Sequence, residues 1–353
     1  MKRKRIKAAV CAAVMAFTLF GSLCPVDYHF MRETSVTASA EAAIWDGTED
    51  TSWYYREHDV IVSENGERIA IFNIRTAEEL AGLAKLVRNG NSMKNTMINL
   101  VSDVTLNDTT NFDNWDEQPP ANNWTAIGAV PIEAPNVNVV MTIQPECRNT
   151  VFAGMFNGNG HTISGMYSLH HNYAGLFART SGIITNVIVK DSYIQCINTQ
   201  KVESGDTALW EACAGGITAI CDRGVISHCE FDGKIFASGL NQVGYGTHGS
   251  FAGGIVGKFS DDESGVAAVV MMFALVPAGF LINPALFLTA SGQQVITDPG
   301  IYSCINRGSI YTEHGTDENG AGGIIGAGGL YTVRNPDFAV FYCLNLGEVH
   351  ADH

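Results

Sequence analysis

Short apolar runs that alternate with polar residues recur through the second half of the chain. One recurring unit reads AGLF at 174–177, AGGITA at 214–219, AGGIVG at 252–257 and AGGIIG at 321–326. A second unit follows each of these: IITNVIVKDSY from Ile183, ISHCEFDGKI from Ile226, IYSCINRGSI from Ile301 and VFYCLNLGEV from Val340. This alternation, closed by glycine, is typical of short strands that end in tight turns.

The last three copies of the second unit share one register. An aliphatic residue lies three positions before Cys229, Cys304 or Cys343, and a glycine lies four positions after it; Val187 and Asp191 take these places in the first copy. A unit of about 40 residues cannot bury its apolar face alone, so successive units stack. The repeats therefore predict an all-β fold, a right-handed parallel β-helix, in which the three cysteines form a structural ladder of buried free thiols. An all-β sandwich is the alternative, but it does not require the same residue at the same turn in successive units.

A helix is predicted before the first repeats, starting at Thr76. Thr76 can cap the helix with Glu79 at the reciprocal capping position, and Gly90 suits a left-handed stop. The apolar stripe at helical spacing consists of Leu80, Leu83, Ala84 and Val87. We expect this helix to cover one open end of the stacked strands. A partner-binding helix is the alternative.

An apolar insert at 260–300 interrupts the repeats. Val266–Leu288 is 23 residues long without a charge, which is enough to span a membrane. The AGGIVG half of one unit precedes the insert and the IYSCINRGSI half follows it, so both flanks should share one compartment. We therefore predict an apolar helical hairpin that packs against the coils. A transmembrane segment and an exposed patch for a partner are the alternatives.

Residues 1–40 have the pattern of a signal peptide. A basic run from Lys2 to Lys7 precedes the uncharged segment Ala8–Pro25, and Ala38-Ser39-Ala40 supplies a small-residue cleavage site. Cleavage after Ala40 predicts a secreted or cell-surface protein with an N-terminal segment at 41–150 and repeats at 151–353. An uncleaved membrane anchor is the alternative.

The repeats resemble the GLUG-motif repeats of bacterial surface proteins, including repeat regions found beside the peptidase domain of immunoglobulin A proteases. The lead-in FAGMFNGNGHTISGMY at 152–167 carries the resemblance, as do WDGTEDTSWY at 45–54 and NWTAIG at 123–128. The resemblance covers roughly residues 44–353. It implies the fold and export, but no activity, because the family is defined by repeats and not by a site.

Charge and missing motifs narrow the function. Removing 1–40 takes six basic and two acidic residues from a chain of net charge −15, which leaves −19, and an acidic surface disfavours nucleic acid as a partner. No His-Glu dipeptide occurs, so the zinc site of the related peptidases is missing, and no other catalytic or cofactor motif is recognisable. We expect a non-catalytic module for adhesion or ligand binding, whose partner is a host or cell-surface glycan or protein. The alternative is a β-helical polysaccharide lyase or glycoside hydrolase.

Two weak candidate sites remain. Asp261, Asp262 and Glu263 are a calcium candidate, although three acids at a loop tip are usually only solvated. Trp45, Trp53 and Tyr54 lie in an acidic aromatic segment that could stack on sugars, and packing of the N-terminal segment is the alternative role.

The last repeat ends without a recognisable cap, because VFYCLNLGEV is complete at Val349. A bare final coil leaves unpaired backbone groups facing water. The pattern therefore predicts either the amino-terminal part of a longer surface protein or an open end that pairs with another chain.

Export gives the first testable prediction. Amino-terminal sequencing of secreted protein should begin at Glu41, because the cleavage site ends at Ala40. A start at Met1 in material recovered with membranes would instead indicate an uncleaved anchor.

Overall fold

The computed structural model describes residues 43–62, 66–129, 150–198, 211–239, 249–260, 299–313, 318–328 and 339–351. The predicted signal peptide, the 266–288 insert and the calcium candidate at 261–263 lie outside these ranges. Within them the chain is mostly β, its strands are mainly parallel, and it contains one α-helix. The all-β prediction is confirmed at this level.

Four sheets are formed by the described strands. The first, eight-stranded sheet contains β1 (Asp59–Val62), β2 (Arg68–Ile74), β3 (Thr96–Leu100), β5 (Met155–Asn157), β10 (Ile183–Thr185), β14 (Val225–Ser227), β18 (Gly300–Tyr302) and β23 (Ala339–Phe341). The second, nine-stranded sheet contains β4 (Val104–Thr105), β6 (Thr162–Ser164), β7 (Tyr167–His170), β11 (Ile188–Ile197), β15 (Glu230–Ser238), β19 (Ile305–Asn306), β20 (Ser309–Glu313), β24 (Leu344–Asn345) and β25 (Val349–Ala351). The third sheet contains β8 (Tyr173–Ala174), β12 (Ala212–Gly215), β16 (Gly249–Gly253) and β21 (Glu318–Gly322), and the fourth contains β9 (Phe177–Thr180), β13 (Thr218–Asp222), β17 (Val256–Ser260) and β22 (Ile325–Gly328).

Each sheet takes its strands from successive repeats. Ile184 pairs in register with Ile226, which pairs with Ile301, which pairs with Val340. The AGG units pair in the same way through the third sheet, where Ala214 is opposite Ala252 and Ala252 opposite Ala321. Equivalent residues therefore stack into rows, as the shared register of the motifs predicts.

The helix α1 spans Ala77–Arg88 and begins at the predicted cap. The Thr76 hydroxyl accepts the Glu79 N–H at 3.2 Å, and the Glu79 carboxylate accepts the Arg75 N–H at 2.7 Å. Gly90 lies at φ +94°, the left-handed region that ends helices. The predicted apolar stripe is buried in one cluster with Ile74 of β2 and Ile98 of β3, so the helix closes the core at the side of the first strands.

The paired glycines of the AGG motif allow the two halves of a repeat to touch across the core. A Cβ on Gly216 would collide with the Phe231 ring, and one on Gly254 or Gly323 would collide with the side chain of Asn306 or Asn345. Phe231, Asn306 and Asn345 are each two residues beyond a ladder cysteine. The AGG unit and the cysteine unit are therefore two sides of one packed layer.

The strands on either side of the 261–298 gap belong to the same stack. Gly254, before it, packs on Asn306, after it. No helix within the described residues is long and apolar enough to cross a membrane.

The three ladder cysteines occupy equivalent positions on successive strands. The thiols of Cys229, Cys304 and Cys343 each approach the carbonyl two residues before them, at 3.3, 3.3 and 3.4 Å. Cys229 and Cys304 are buried, whereas Cys343 is half-buried, because no further described strand covers the outer side of the last coil. Burial, foremost, raises the pKa of the Cys304 thiol.

The residue before each ladder position turns the chain in the left-handed region. Asn186, His228, Ser303 and Tyr342 have φ values of 54°, 53°, 53° and 55°. The expected equivalence of Asp191 with the motif glycine is wrong. Ser192 is opposite Gly233, and Asp191, at φ 46°, is an extra residue at a bulge between Lys190 and Ser192.

Close packing at the motif glycines predicts a large effect of one methyl group. Gly254→Ala should lower the free energy of unfolding by about 3 kcal/mol or more, since the Cβ meets both backbone and a side chain. Gly66→Ala is the control: its φ is +85° but nothing lies near its Cβ, so only the backbone cost of about 1 kcal/mol should appear. Denaturant unfolding measures both, and equal losses in the two variants would contradict the packing explanation.

Burial predicts the order of thiol labelling in the native protein. Cys343 should react with a maleimide before Cys229 and Cys304, which should react only when the protein unfolds. Peptide mapping after labelling with and without denaturant identifies the modified residues. Native-state labelling of Cys304 as fast as that of Cys343 is incompatible with a buried ladder.

His228 predicts a dependence of stability on pH. Desolvation lowers its pKa from the usual 6.5, and its Nδ1 is buried without a hydrogen-bond partner among the described residues. Because the unfolded chain takes up this proton first, stability should fall as pH drops below about 6.5. His228→Asn tolerates the left-handed backbone and cannot titrate. Urea unfolding at about pH 7.5 and about pH 5.5 should show a smaller stability loss in this variant than in the wild type, and an unchanged loss would rule His228 out as the cause.

Candidate functional site

Trp45 and Trp53, the two tryptophans of the glycan-contact candidate, are core residues. Trp53 is 2% exposed, donates its indole N–H to the Glu79 carbonyl at 3.0 Å and meets Phe72 edge-on at 5.4 Å. Trp45 is 7% exposed and packs edge-on against Trp124 at 5.9 Å. Neither ring offers a face to solvent, so both have the packing role that was the alternative to glycan contact.

The tyrosines that follow differ in exposure. Tyr54 is half-buried and stacks on Phe72, with ring centres 5.2 Å apart and planes 26° apart. Tyr55 is 78% exposed. Of the aromatic residues in this segment, Tyr55 is the one whose ring is open to a ligand.

A cavity lies beside Tyr55, just before Asp59, the first residue of β1. The antiparallel register stops at Asp59 opposite Ile71, and the segment 55–58 passes beside the remainder of β2. The cavity has a volume of about 620 Å³ and is lined by Trp53, Tyr55, Arg56, Glu57, His58, Asp59, Ile71, Phe72, Asn73 and Arg75. The cavity is an open depression of the surface rather than an enclosed pocket.

One wall of this cavity is held by a charge network on helix α1. Arg56 donates to the buried Glu79 carboxylate at 2.9 Å and to the Ser52 hydroxyl at 2.9 Å, and it lies 3.5 Å from Asp50. Hydrogen bonds from Ser52 lower the pKa of Asp50, which keeps this carboxylate charged beside Arg56. These contacts hold the Arg56 side chain against Glu79 of helix α1.

The imidazole of His58 forms part of the lining and rests on the core. Its ring lies 4.4 Å from that of Phe72, and its Nδ1 is 3.1 Å from the Arg56 carbonyl. His58 itself is exposed. The cavity thus presents aromatic surface together with charged and amide groups.

Charged residues form ion pairs between neighbouring repeats. These ion pairs are Arg179 with Asp222, Lys258 with Glu211 at 2.5 Å, and Arg307 with Glu230 at 2.8 Å. Of the other coil positions, Lys234 donates to the Asp113 carbonyl at 2.9 Å, and Glu348 lies 3.4 Å from His350. The three ion pairs join neighbouring repeats rather than surround an open site.

Metal ligands are not grouped in the part of the chain that the structure describes. No cluster of three or more His, Cys, Asp or Glu residues there could hold a metal ion, and this includes the cysteine ladder. Asp261, Asp262 and Glu263 lie outside the described residues.

Of the residues that line the cavity, the predicted glycan contacts included Trp53 alone, and His58, Asn73 and Arg75 are among those that sequence reasoning missed. The available signal was the alternation Asn73-Ile74-Arg75. In an extended chain this puts the two polar side chains on the face opposite the buried Ile74. Nothing in the sequence shows that β1 begins only at Asp59 and therefore leaves Asn73 without a partner strand on that side.

Comparisons with known proteins give little guidance. No protein-family model matches the chain, and no curated protein matches it. The chain is similar to a solved structure from Bacteroides ovatus described as a putative immunoglobulin A1 protease, with 16% identity and a TM-score of 0.42. The match covers 80% of this chain and 58% of that protein. At this TM-score the likeness carries no conclusion about function.

Proposed function

We propose that the chain is an exported, non-catalytic repeat module that acts outside the cell or on its surface and binds a glycan or protein ligand. In this proposal the four sheets are the faces of a right-handed parallel β-helix, and the strands of successive repeats stack along each face. Right-handed crossovers between parallel strands are the strong rule, and in-register rows of equivalent residues are what stacked coils produce.

The cavity beside Tyr55 is the observation that carries the binding role. Its volume of about 620 Å³, its exposed aromatic ring and its mixed polar lining suit a small ligand or one residue of a larger one. One wall is preorganised by the contacts of Arg56, and rigidity before binding reduces the entropy cost of association.

The non-catalytic part of the proposal is supported by the use of charge on the repeats. A polysaccharide-degrading β-helix would place free acids or bases on neighbouring coils. Here Glu230 and Glu211 are bound to Arg307 and Lys258 on neighbouring strands. Side chains committed to such pairs serve the stack.

A glycan array probed with the purified chain, followed by mass spectrometry of the bound glycans, tests the proposal. We expect binding to a defined set of glycans without cleavage products. Tyr55→Ala should reduce binding at least about tenfold, because aromatic contacts dominate small interfaces.

Tyr342→Ala is the matched control, because Tyr342 is 90% exposed and lies on the last coil, far along the sheet order from the cavity. It should bind like the wild type. Released oligosaccharides would overturn the non-catalytic assignment, and equal binding by both variants would remove the cavity from the proposal.

A further inference from the structure

Four asparagine side chains form a row that ends at the cavity. Asn99 donates to Asn73 at 3.2 Å, Asn157 donates to Asn99 at 3.4 Å, and Asn186 donates to Asn157 at 3.2 Å. Asn157 is 1% exposed, whereas Asn73 is exposed and lines the cavity. The row therefore connects the interior of the first sheet with the cavity.

The row has one direction, and this sets what Asn73 presents. Each amide nitrogen donates to the oxygen of the preceding amide, so the Asn73 oxygen is occupied by Asn99. The Asn73 NH₂ group is then the end of the chain of donors. Hydrogen bonds in such a chain polarise one another, which strengthens the donor at its end.

Arg75 adds a cation to the same lining. It is exposed, and its side chain has no ion pair with any residue that the structure describes. Arg56, by contrast, is bound to Glu79 and Asp50. The amide of Asn73 in β2 and the guanidinium of Arg75, just beyond the end of β2, are two donors that match the two oxygens of a carboxylate.

The rest of the lining suits a sugar ring beside that carboxylate. Tyr55 is 78% exposed and offers a stacking face. Glu57 and Asp59 are exposed acceptors for the hydroxyl groups of the ring.

We propose that this cavity binds a saccharide carrying a single carboxylate per recognised residue, with Arg75 and the Asn73 NH₂ group on the carboxylate and Tyr55 against the ring. This rests on the binding role proposed above and specifies its ligand class. The side-chain row through Asn99 positions Asn73 for the contact.

Methyl glucuronide and methyl glucoside are a matched pair of probes, because they differ in the carboxylate alone. Calorimetric titration of the purified chain should show at least about tenfold tighter binding of the glucuronide, which is the usual worth of a charged hydrogen bond. Asn73→Asp replaces the donor by a carboxylate of the same shape, and Arg75→Gln removes the cation. Each should abolish the preference for the glucuronide.

Arg68→Gln is the control, because Arg68 is an exposed arginine of the same strand outside the cavity lining. It should keep the preference. Asn99→Leu should weaken glucuronide binding with an unchanged circular dichroism spectrum, since it removes the partner that orients Asn73.

Equal affinity for the two probes would overturn the carboxylate assignment and leave the general binding role intact. Binding of neither probe, together with an empty glycan array, would overturn both. A preference that survives Asn73→Asp and Arg75→Gln would place the carboxylate elsewhere.

Discussion

The stack depends on the close approach of the AGG backbone to side chains of the cysteine unit. Gly216, Gly254 and Gly323 each face the side chain two residues beyond a ladder position, and a Cβ would occupy the space of that side chain. In the last three repeats this contact requires a glycine in the AGG unit, whereas the first repeat has the buried Leu176 at the same position. This contact explains why the two motifs occur together in the last three repeats. It also explains how the repeat survives an interruption at 261–298, because the contact between Gly254 and Asn306 is made through space rather than along the chain.

The interior of the stack holds polar groups as well as apolar ones, and for Asn306 the repeat supplies the hydrogen-bond partners. Asn306 is fully buried, receives the Gly308 N–H at 3.1 Å and donates to Asn345 on the next coil at 2.7 Å. Phe231 fills the equivalent place one coil earlier and needs no such partner. A buried amide is tolerated where the neighbouring coil and its own turn satisfy it. The thiol rows follow the same rule, since each sulfur lies near a carbonyl of its own coil.

The parts of this structure that could be predicted are those in which the same residue pattern recurs or in which the signal is local. Cys229, Cys304 and Cys343 share a register because each coil poses the same packing problem, and α1 was recognisable because its cap and its stripe are both local signals. Asp191 could not be recognised as an extra residue, since a bulge leaves the spacing of nearby apolar residues almost unchanged. Trp53 and Tyr55 could not be told apart, because which aromatic ring is buried depends on how their segment lies against Phe72. The cavity arises because β1 begins only at Asp59. Where a strand begins or ends is set by tertiary packing rather than by the residues beside it.

The cavity lies at the first strands because the residues there have no equivalents in a neighbouring repeat. Along the repeats, each side chain has an equivalent one coil away, so charges such as Glu230 and Arg307 find partners in the stack and become structural. The N-terminal segment has no equivalent in the repeats, and its single antiparallel pair, β1 with β2, ends at Asp59 while β2 continues to Ile74. Asn73 has a coil neighbour on one side only, Asn99, and Arg75 follows the end of the strand. Irregularity at the end of a regular stack thus leaves donors whose hydrogen bonds the protein does not use, and a ligand can bind there without competing with the contacts that hold the coils together.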